Sequence, residues 1–406
     1  MERSPRLTKG TSVGQRLTPK SFHQSKGSFQ SVLHHTSMRQ NGSLHLDATP
    51  FETRTPSVAY SSSMPSDGNS SDFPHVPGEL ELIASIRRRA ALRSPDLRLG
   101  IGDDCALIRI RPGEELAITT DLSVDGRHFR LATHPPEAVG HRTLARGLSD
   151  LAAMGARPVA AFLSLGLPVE LTVPHPTEDD PNPKPWSTRF FDGLLALAAQ
   201  HKTPLAGGDL CQTTQAAADI VLLGAVPNRT ALLRSGAHPG DLLYITGSLG
   251  GSAVGLELLN DPAAIEALPP RARSKRLAPH LYPQPRLKQG EYLRRLKLAT
   301  AAIDLSDGLS TDLHHLCRAS GVSAEVNAAL LPIAPGATLE QALHGGEDYE
   351  LLFTVPPDIK VPASIAGVPL TRIGCIMAAH KSSPAVSLLS FASSEPLLPR
   401  GWQHFI

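Results

Sequence analysis

Residues 301–321 read Ala-Ala-Ile-Asp-Leu-Ser-Asp-Gly-Leu-Ser-Thr-Asp-Leu-His-His-Leu-Cys-Arg-Ala-Ser-Gly. Ala301 to Leu305 has the apolar character of a short strand. Leu309 to Ser320 has that of a helix, closed by Gly321 where a left-handed residue ends a helix. Between them lies an acidic turn, Asp304-Leu305-Ser306-Asp307-Gly308. A strand that runs through an acidic, glycine-containing turn into a helix is an α/β unit.

Similar units recur on both sides. Leu116 to Thr120 predicts a strand ending on Asp121, and Thr203 to Ala206 one leading into Gly207-Gly208-Asp209. Asp241 to Thr246 predicts a strand before Gly247, Gly250 and Gly251 and a helix to about Leu259. Gly345-Gly346-Glu347-Asp348 precedes a strand at Tyr349 to Val355. Further strands are expected at Ala160 to Leu167 and Ile220 to Val226. Helices are expected at Glu79 to Arg89, Phe190 to Gln200 and Leu287 to Leu296. Ala138 to Met154 carries Val139, Leu144, Leu148, Leu151 and Ala152 on one stripe, with Gly155 as its cap. The fold class is α/β (α+β), with an N-terminal domain over 78–230 and a C-terminal one over 231–406.

Bulk composition narrows the function. With 406 residues, 41% of them hydrophobic, the chain fits about two to three domains. A net charge of +1 gives no global pull toward nucleic acid or membrane. No apolar run approaches the roughly 20 residues that span a bilayer, and no apolar segment follows the N-terminus. Cys105, Cys211, Cys317 and Cys375 are far apart, which argues against a disulfide framework or zinc site and for a reducing, cytoplasmic setting. Residues 1–77 are rich in Ser, Thr, Gln and His and poor in aliphatics. They read as a disordered extension, or as the product of a start codon upstream of Met38 or Met64. A proline-rich loop is expected over 171–189.

Asp beside Gly is ordinary turn chemistry when met once. Here it recurs at Gly102-Asp103-Asp104, Thr119-Thr120-Asp121, Leu148-Ser149-Asp150, Gly207-Gly208-Asp209, 304–308 and 345–348. Carboxylates gathered in one cleft repel and raise each other's pKa, so such a set persists when cations fill it. Oxygen donors without a His/Cys constellation favour Mg²⁺, which binds a few carboxylates together with substrate phosphates. Neither a P-loop nor the protein-kinase motif set is present. Gly247-Ser248-Leu249-Gly250-Gly251 reads equally as an anion-holding helix start or as capping with close strand–helix packing.

The segments G-I-G-D-D-C-A-L at 100–107, T-T-D-L-S-V-D-G-R-H-F at 119–129, L-S-D-L-A-A-M-G-A at 148–156, D-L-S-D-G-L at 304–309 and G-G-E-D-Y-E-L-L-F at 345–353 occur in this order. With G-G-D at 207–209 they resemble the thiamine-monophosphate kinases of the aminoimidazole-ribonucleotide-synthetase-like superfamily, from about Gly78 onward. The resemblance implies a two-domain protomer whose N-terminal strands pair across the axis of a homodimer. It also implies several Mg²⁺ ions, with ATP and thiamine monophosphate as substrates. Asp104, Thr119, Thr120, Asp121, Asp150, Asp209, Asp304 and Asp307 match the metal positions, and Asp150, Asp209 and Asp307 are the catalytic candidates among them. Gly208, Asp209, Arg234 and Ser306 match ATP contacts. His128, Glu347 and Trp402 match contacts to the thiamine phosphate. Phe191 falls near a position for an aromatic beside the adenine.

Departures from the pattern are Gly147, Leu210 and Cys211. Bland readings stand beside several of these: an Arg234–Asp241 surface pair, Trp402 as a cover for a core edge, and Asp125 and Glu350 as satisfied turn or surface acids. Other ATP-using members of the superfamily, or a nucleotide-binding regulator without catalysis, are the alternative functions.

Overall fold

The computed structural model describes residues 76–178, 180–380, 385–391 and 393–402. The extension expected over 1–77 therefore lies outside the described residues except for its last two, as do Asp179 and residues 403–406.

The N-terminal half runs α1 (Glu79–Arg89), β1 (Leu97–Leu99), β2 (Leu107–Ile108), β3 (Glu114–Val124), α2 (Pro136–Ala153), β4 (Arg157–Leu167), α3 (Trp186–Gln200), β5 (Leu205–Gln212) and β6 (Ala217–Pro227). Its main sheet has the order β3-β6-β4-β5. β3–β6 and β6–β4 are antiparallel; β4 and β5 are parallel, joined through α3 as a parallel crossover requires.

The C-terminal half runs β7 (Leu242–Thr246), α4 (Gly251–Leu259), α5 (Pro262–Ala267), α6 (Pro270–Leu281), α7 (Leu287–Arg295), β8 (Ala301–Asp304), α8 (Leu309–Ser320), β9 (Val322–Asn327), α9 (Leu339–His344), β10 (Leu351–Val355), β11 (Ser364–Ile365), β12 (Val368–Ala378), β13 (Val386–Ser390) and β14 (Ser393–Pro396). Its sheet has the order β14-β13-β9-β12-β7-β10-β8, with β11 paired to β12.

Helix α2 joins the halves. Leu144, Leu148 and Leu151 share one core with Ile220 and Leu222 of the first sheet and with Ala302, Leu351 and Phe353 of the second. The other face of the second sheet, with Ile245, Ile303 and Leu352, packs with Leu309, Leu313 and Leu316 of α8. The sequence predicts a single apolar stripe on α2. The structure buries nearly the whole helix, Arg142 and Ser149 included, because a sheet lies on either side. Helix α3 crosses α2 at very short range: a Cβ on Gly140 would strike the Phe190 carbonyl, and one on Gly193 the Glu137 carbonyl. Opposite α2, the outer face of β3 exposes Leu116, Ile118 (63%) and Leu122 (53%) in alternation, an apolar row on a sheet edge.

Candidate active site

Two acidic motifs far apart in sequence form one structure. In the β8–β10 ladder Asp304 pairs with Leu351. Past its end, the Tyr349 N–H donates to the Leu305 carbonyl (2.9 Å) and the Glu347 N–H to the Ser306 carbonyl (2.7 Å). The 345–350 turn is thereby laid against the 304–308 turn. Glu347 and Tyr349 take φ of 64° and 51°. A left-handed conformation costs a non-glycine residue about 1–3 kcal/mol, and it is held here by those hydrogen bonds.

Helix α2 brings in the next acids. Ser149 Oγ donates to Asp304 Oδ2 at 2.7 Å, and Asp150 accepts from the Thr119 hydroxyl of β3. One turn earlier, Arg146 donates to Asp121 Oδ1 from Nε (3.1 Å) and Nη2 (2.7 Å). Asp121, Asp150 and Asp304, from three elements, thus meet in one cluster. Burial, then the nearby Asp150 charge, pushes Asp304 up to about 7. Asp150 is raised by burial and by Asp121, against the pull of Thr119, Arg234 and Arg146.

The turn continues the cluster into α8. Asp312, 2% exposed, accepts from the Asp307 N–H at 3.0 Å. Burial, with the charges of Asp304 and Asp307, pushes it up to about 8. Ligand atoms of Asp307, Asp312 and His315 lie within 4.8 Å of one another. Sequence reading passed over Asp312, because an acid in the first turn of a helix reads as a dipole complement. The donors of Asp121, Asp150, Asp304 and Asp307 are oxygens, and at Asp150 and Asp304 burial and like charge disfavour the negative form, so the set fits a hard divalent cation.

Thr119 and Thr120, consecutive in β3, project to opposite faces. Thr120 Oγ1 donates to Asp219 Oδ1 at 2.9 Å. By register, Asp209 falls on that same side, paired with Ser164, which pairs with Asp219. Gly208 has a φ of 146°, and a Cβ there would strike the Leu163 carbonyl. Gly208 and Asp209 line a cavity of about 920 Å³ together with Asp104, Phe162 and Phe191. The residues whose motifs led the sequence to predict metal binding therefore fall into two groups within one chain. Thr119, Asp121, Asp150, Asp304 and Asp307 form one; Asp104, Thr120 and Asp209 lie on the other side of the sheet.

The remaining candidates border the first group. Buried Arg142 donates to the His128 carbonyl (3.2 Å) and to Glu347 Oε1 (2.7 Å), and so ties these two positions together. Burial works to raise Glu347, but Arg142, with His280 and Arg146, outweighs it and holds the carboxyl at about 2. Arg142 and Arg146 were not singled out in the sequence; an Arg on an apolar helix reads as a solvated side. The Trp402 N–H donates to the Asp307 carbonyl at 3.1 Å, which sets the C-terminal segment over the acidic turn. Arg234 is exposed, and its charge pulls down both Asp150 and Asp304. It makes no pair with Asp241, whose carboxylate accepts instead from the His238 N–H (3.0 Å) and Thr300 Oγ1 (2.6 Å).

Three further expectations are resolved. The start of α4 is capped by Asp348, which accepts from the N–H groups of Gly250 (2.6 Å) and Ser252 (3.0 Å). The capping reading of 247–251 thus holds, the anion there being the chain's own. Glu350 is not a surface acid: it is buried and accepts from Arg286 Nε and Thr246 Oγ1, both at 2.6 Å. Asp125 is a turn acid that accepts from the Leu131 N–H. As for Gly147, a Cβ there would meet Leu222 Cδ1 at 2.5 Å, so a larger residue would require the Leu222 side chain to shift.

The fold and this acid-lined cleft define an AIR synthase related protein. The family model for its N-terminal domain matches residues 102–226, and that for its C-terminal domain residues 238–384. Curated thiamine-monophosphate kinases are similar over most of the chain. The one from Escherichia coli O157:H7 is 42% identical over 344 residues, 81% of this chain and 98% of the relative. That of Bacillus subtilis (strain 168) is 32% identical, over 80% and 99%. The chain belongs to the thiamine-monophosphate kinase family.

Among solved structures, the thiamine-monophosphate kinase of Stenotrophomonas maltophilia K279a superposes with a TM-score of 0.65 at 38% identity, over 77% of this chain and 96% of that one. AaThiL complexed with AMPPCP and TMP gives 0.60 at 30%, over 81% and 97%. The hydrogenase maturation protein HypE of E. coli, with a TM-score of 0.59 at 19% identity over 80% and 99%, shares the fold alone.

Proposed function

We propose that the protein transfers the γ-phosphoryl group of ATP to the phosphate of thiamine monophosphate, giving thiamine diphosphate and ADP in a Mg²⁺-dependent reaction. The observation that carries this reading is the meeting of Asp121, Asp150 and Asp304 from β3, α2 and β8, beside the Arg142-linked pair His128 and Glu347. Kinship with thiamine-monophosphate kinases, and with a relative complexed with AMPPCP and TMP, supports the choice of substrates.

The obstacle is the repulsion between two polyanions. Asp121, Asp150, Asp304 and Asp307, with Thr119, would hold Mg²⁺ on one side of the sheet; Asp104, Thr120 and Asp209 would do so on the other. Bound there, the cations would supply positive charge that offsets the repulsion of the phosphates. Asp150, Asp209 and Asp307 are the acids whose loss should cost most. Gly208, Asp209, Arg234 and Ser306 serve the nucleotide; His128, Glu347 and Trp402 serve the thiamine phosphate.

In the transfer, an acceptor phosphate oxygen bonds to the γ-phosphorus as the bond to the β,γ-bridging oxygen breaks. The acceptor is a competent nucleophile near neutral pH, its second pKa being about 6, so no general base is needed. Arg142 and Arg146, fixed by Glu347 and Asp121, keep the walls of the cleft in place while positioning and electrostatics provide the rate.

The apolar row Leu116, Ile118 and Leu122 supports a homodimer in which a second copy covers β3. A cytoplasmic setting suits a biosynthetic kinase.

The test is a phosphotransfer assay over several phosphate acceptors with Mg²⁺ present or chelated. Thiamine monophosphate should be the preferred acceptor, and chelation should stop turnover. ATP binding without product would favour a regulator, and transfer to a different acceptor another member of the superfamily.

A further inference from the structure

Residues 397–402 cross from the second sheet to the acidic turn at the start of α8. The Leu397 N–H donates to the Val386 carbonyl of β13 (2.9 Å), and its side chain is buried with Leu313 and Leu316. Three consecutive backbone N–H groups then donate to the 307–311 stretch: Arg400 to Ser310 Oγ (3.3 Å), Gly401 to Thr311 Oγ1 (3.1 Å) and Trp402 to the Asp307 carbonyl (3.1 Å). We propose that Thr311 and Gly401 are positioning residues: they moor this end segment on the turn that carries Asp307, and so set where the Trp402 ring stands relative to the proposed metal group. This rests on the substrate reading given above, in which Trp402 serves the thiamine phosphate.

The mooring is built from buried acceptors and a close backbone approach. Ser310 and Thr311, in the first turn of α8, are buried, so their hydroxyls accept from the segment and not from water. At Gly401 a Cβ would lie 1.9 Å from the Asp307 carbonyl oxygen and 2.6 Å from Thr311 Oγ1, so only glycine lets the segment lie this close. The Arg400 side chain adds a second hold. A guanidinium can only donate, so His344 Nε2, 2.8 Å away, is the accepting nitrogen. The ring hydrogen then sits on Nδ1, where it reaches Ser310 Oγ at 2.8 Å. Arg400 also meets both carboxylate oxygens of Glu340 (2.7 and 2.8 Å), an exposed pair that adds little. Trp402 itself is 48% exposed, so whatever fixes its backbone bears directly on where the ring stands.

Two measurements test this. The chain has two tryptophans. Trp186 stacks on Phe190, and its buried ring N–H makes no hydrogen bond among the described residues, so W186F keeps the stack and leaves Trp402 as the only tryptophan. Time-resolved fluorescence anisotropy of the full W186F chain, without substrate, should then show a ring that turns with the protein. Adding T311V or G401A should introduce a fast component from local motion; adding T311S, which keeps the hydroxyl, should not. In turnover, T311V should raise KM for thiamine monophosphate about fivefold, the scale of one hydrogen bond between uncharged groups, and G401A at least as much. KM for ATP should stay unchanged in both, and T311S should stay near wild type.

Unchanged anisotropy with T311V and G401A, equal rises in both KM values, or a T311S variant as impaired as T311V overturns the proposal. If T311V does not fold, G401A carries the test, because it alters the end segment and leaves the buried side chains of α8 in place. A wild-type chain inactive on thiamine monophosphate defeats the substrate reading alone, because the mooring of Trp402 is read without substrate.

Discussion

Asp304 and Glu347 border the same cleft, 43 positions apart in the chain, and they are solvated by opposite means. Glu347 is met by the Arg142 guanidinium at 2.7 Å and is held at about 2. Asp304 is met by the Ser149 hydroxyl at 2.7 Å, with Asp150 nearby, and is pushed up to about 7. Both are removed from water, which by itself raises a carboxyl pKa. The difference is whether the chain provides the countercharge. At Glu347 it does; at Asp304, Asp150 and Asp312 the acids crowd one another instead. A site finished by protein charge stays shaped without ligand, whereas one left short of positive charge needs cations to complete it, as the proposed Mg²⁺-dependent reaction would supply.

The comparison breaks most readily at Asp150. D150N removes one of the crowded charges, and turnover should fall about 10²- to 10³-fold, the scale for losing one electrostatic contributor to a transition state. In chelated protein the same change relieves repulsion, so its Tm should not fall below that of chelated wild type. A variant that is active, or that unfolds without metal, removes the distinction. At the other pole, R142M strands a largely buried carboxylate. It should cost about 3 kcal/mol of stability, read from denaturant unfolding. The double variant R142M/E347Q should recover part of that stability while KM for thiamine monophosphate stays high. Loss of stability with no change in that KM would make Arg142 a scaffold residue only.

These two poles were unequally legible in the sequence. The acidic turns were visible because Asp and Gly at strand ends stand out against apolar runs. The 301–321 unit folds as read, with β8 ending at Asp304, α8 over Leu309–Ser320 and Gly321 at φ 69°. The partners of those acids were hidden. Arg142, Arg146 and Ser149 sit on α2 among apolar residues, and only a helix with sheets on both sides turns them toward the cleft. Nor does periodicity tell which side of β3 a carboxylate elsewhere will reach, so the split between Thr119 and Thr120 needed the strand register. Asp348 was hidden for a related reason: it caps α4 at Gly250, 98 positions away, and no local signal carries such a pairing.

Arg234 sharpens the comparison from its rim, since it is the exposed cation whose charge reaches both Asp150 and Asp304. R234A should raise KM for ATP about tenfold, the scale of one charge-assisted contact. KM for thiamine monophosphate should move less. Equal changes in both would place Arg234 with the fold instead of the nucleotide.

The smallest expected effect is a slope of stability with pH. In metal-free protein Asp304 and Asp312 keep their protons up to about 7 and about 8, whereas in the unfolded chain they release them near the ordinary Asp value. The folded state then binds more protons than the unfolded one, so stability falls as pH rises toward those values, by about 1.4 kcal/mol per pH unit for each such proton. His134 and His280, lowered to about 4 and about 3, work the other way, but only below their ordinary value of 6.5, where the unfolded chain takes up protons and the folded one does not. Glu347, held at about 2, changes its proton count only in acid. Between pH 6.5 and 8 the raised acids are therefore left to set the slope, Asp304 and Asp312 together with Asp348, which burial pushes up to about 7. Tm of chelated protein should drop across that window, and added Mg²⁺ should raise it more at pH 8 than at pH 6.5, because the cation binds the deprotonated carboxylates. A flat Tm, with equal gains from Mg²⁺ at both ends, would mean that Asp304 and Asp312 are as well compensated as Glu347, and the contrast between the two poles would be lost.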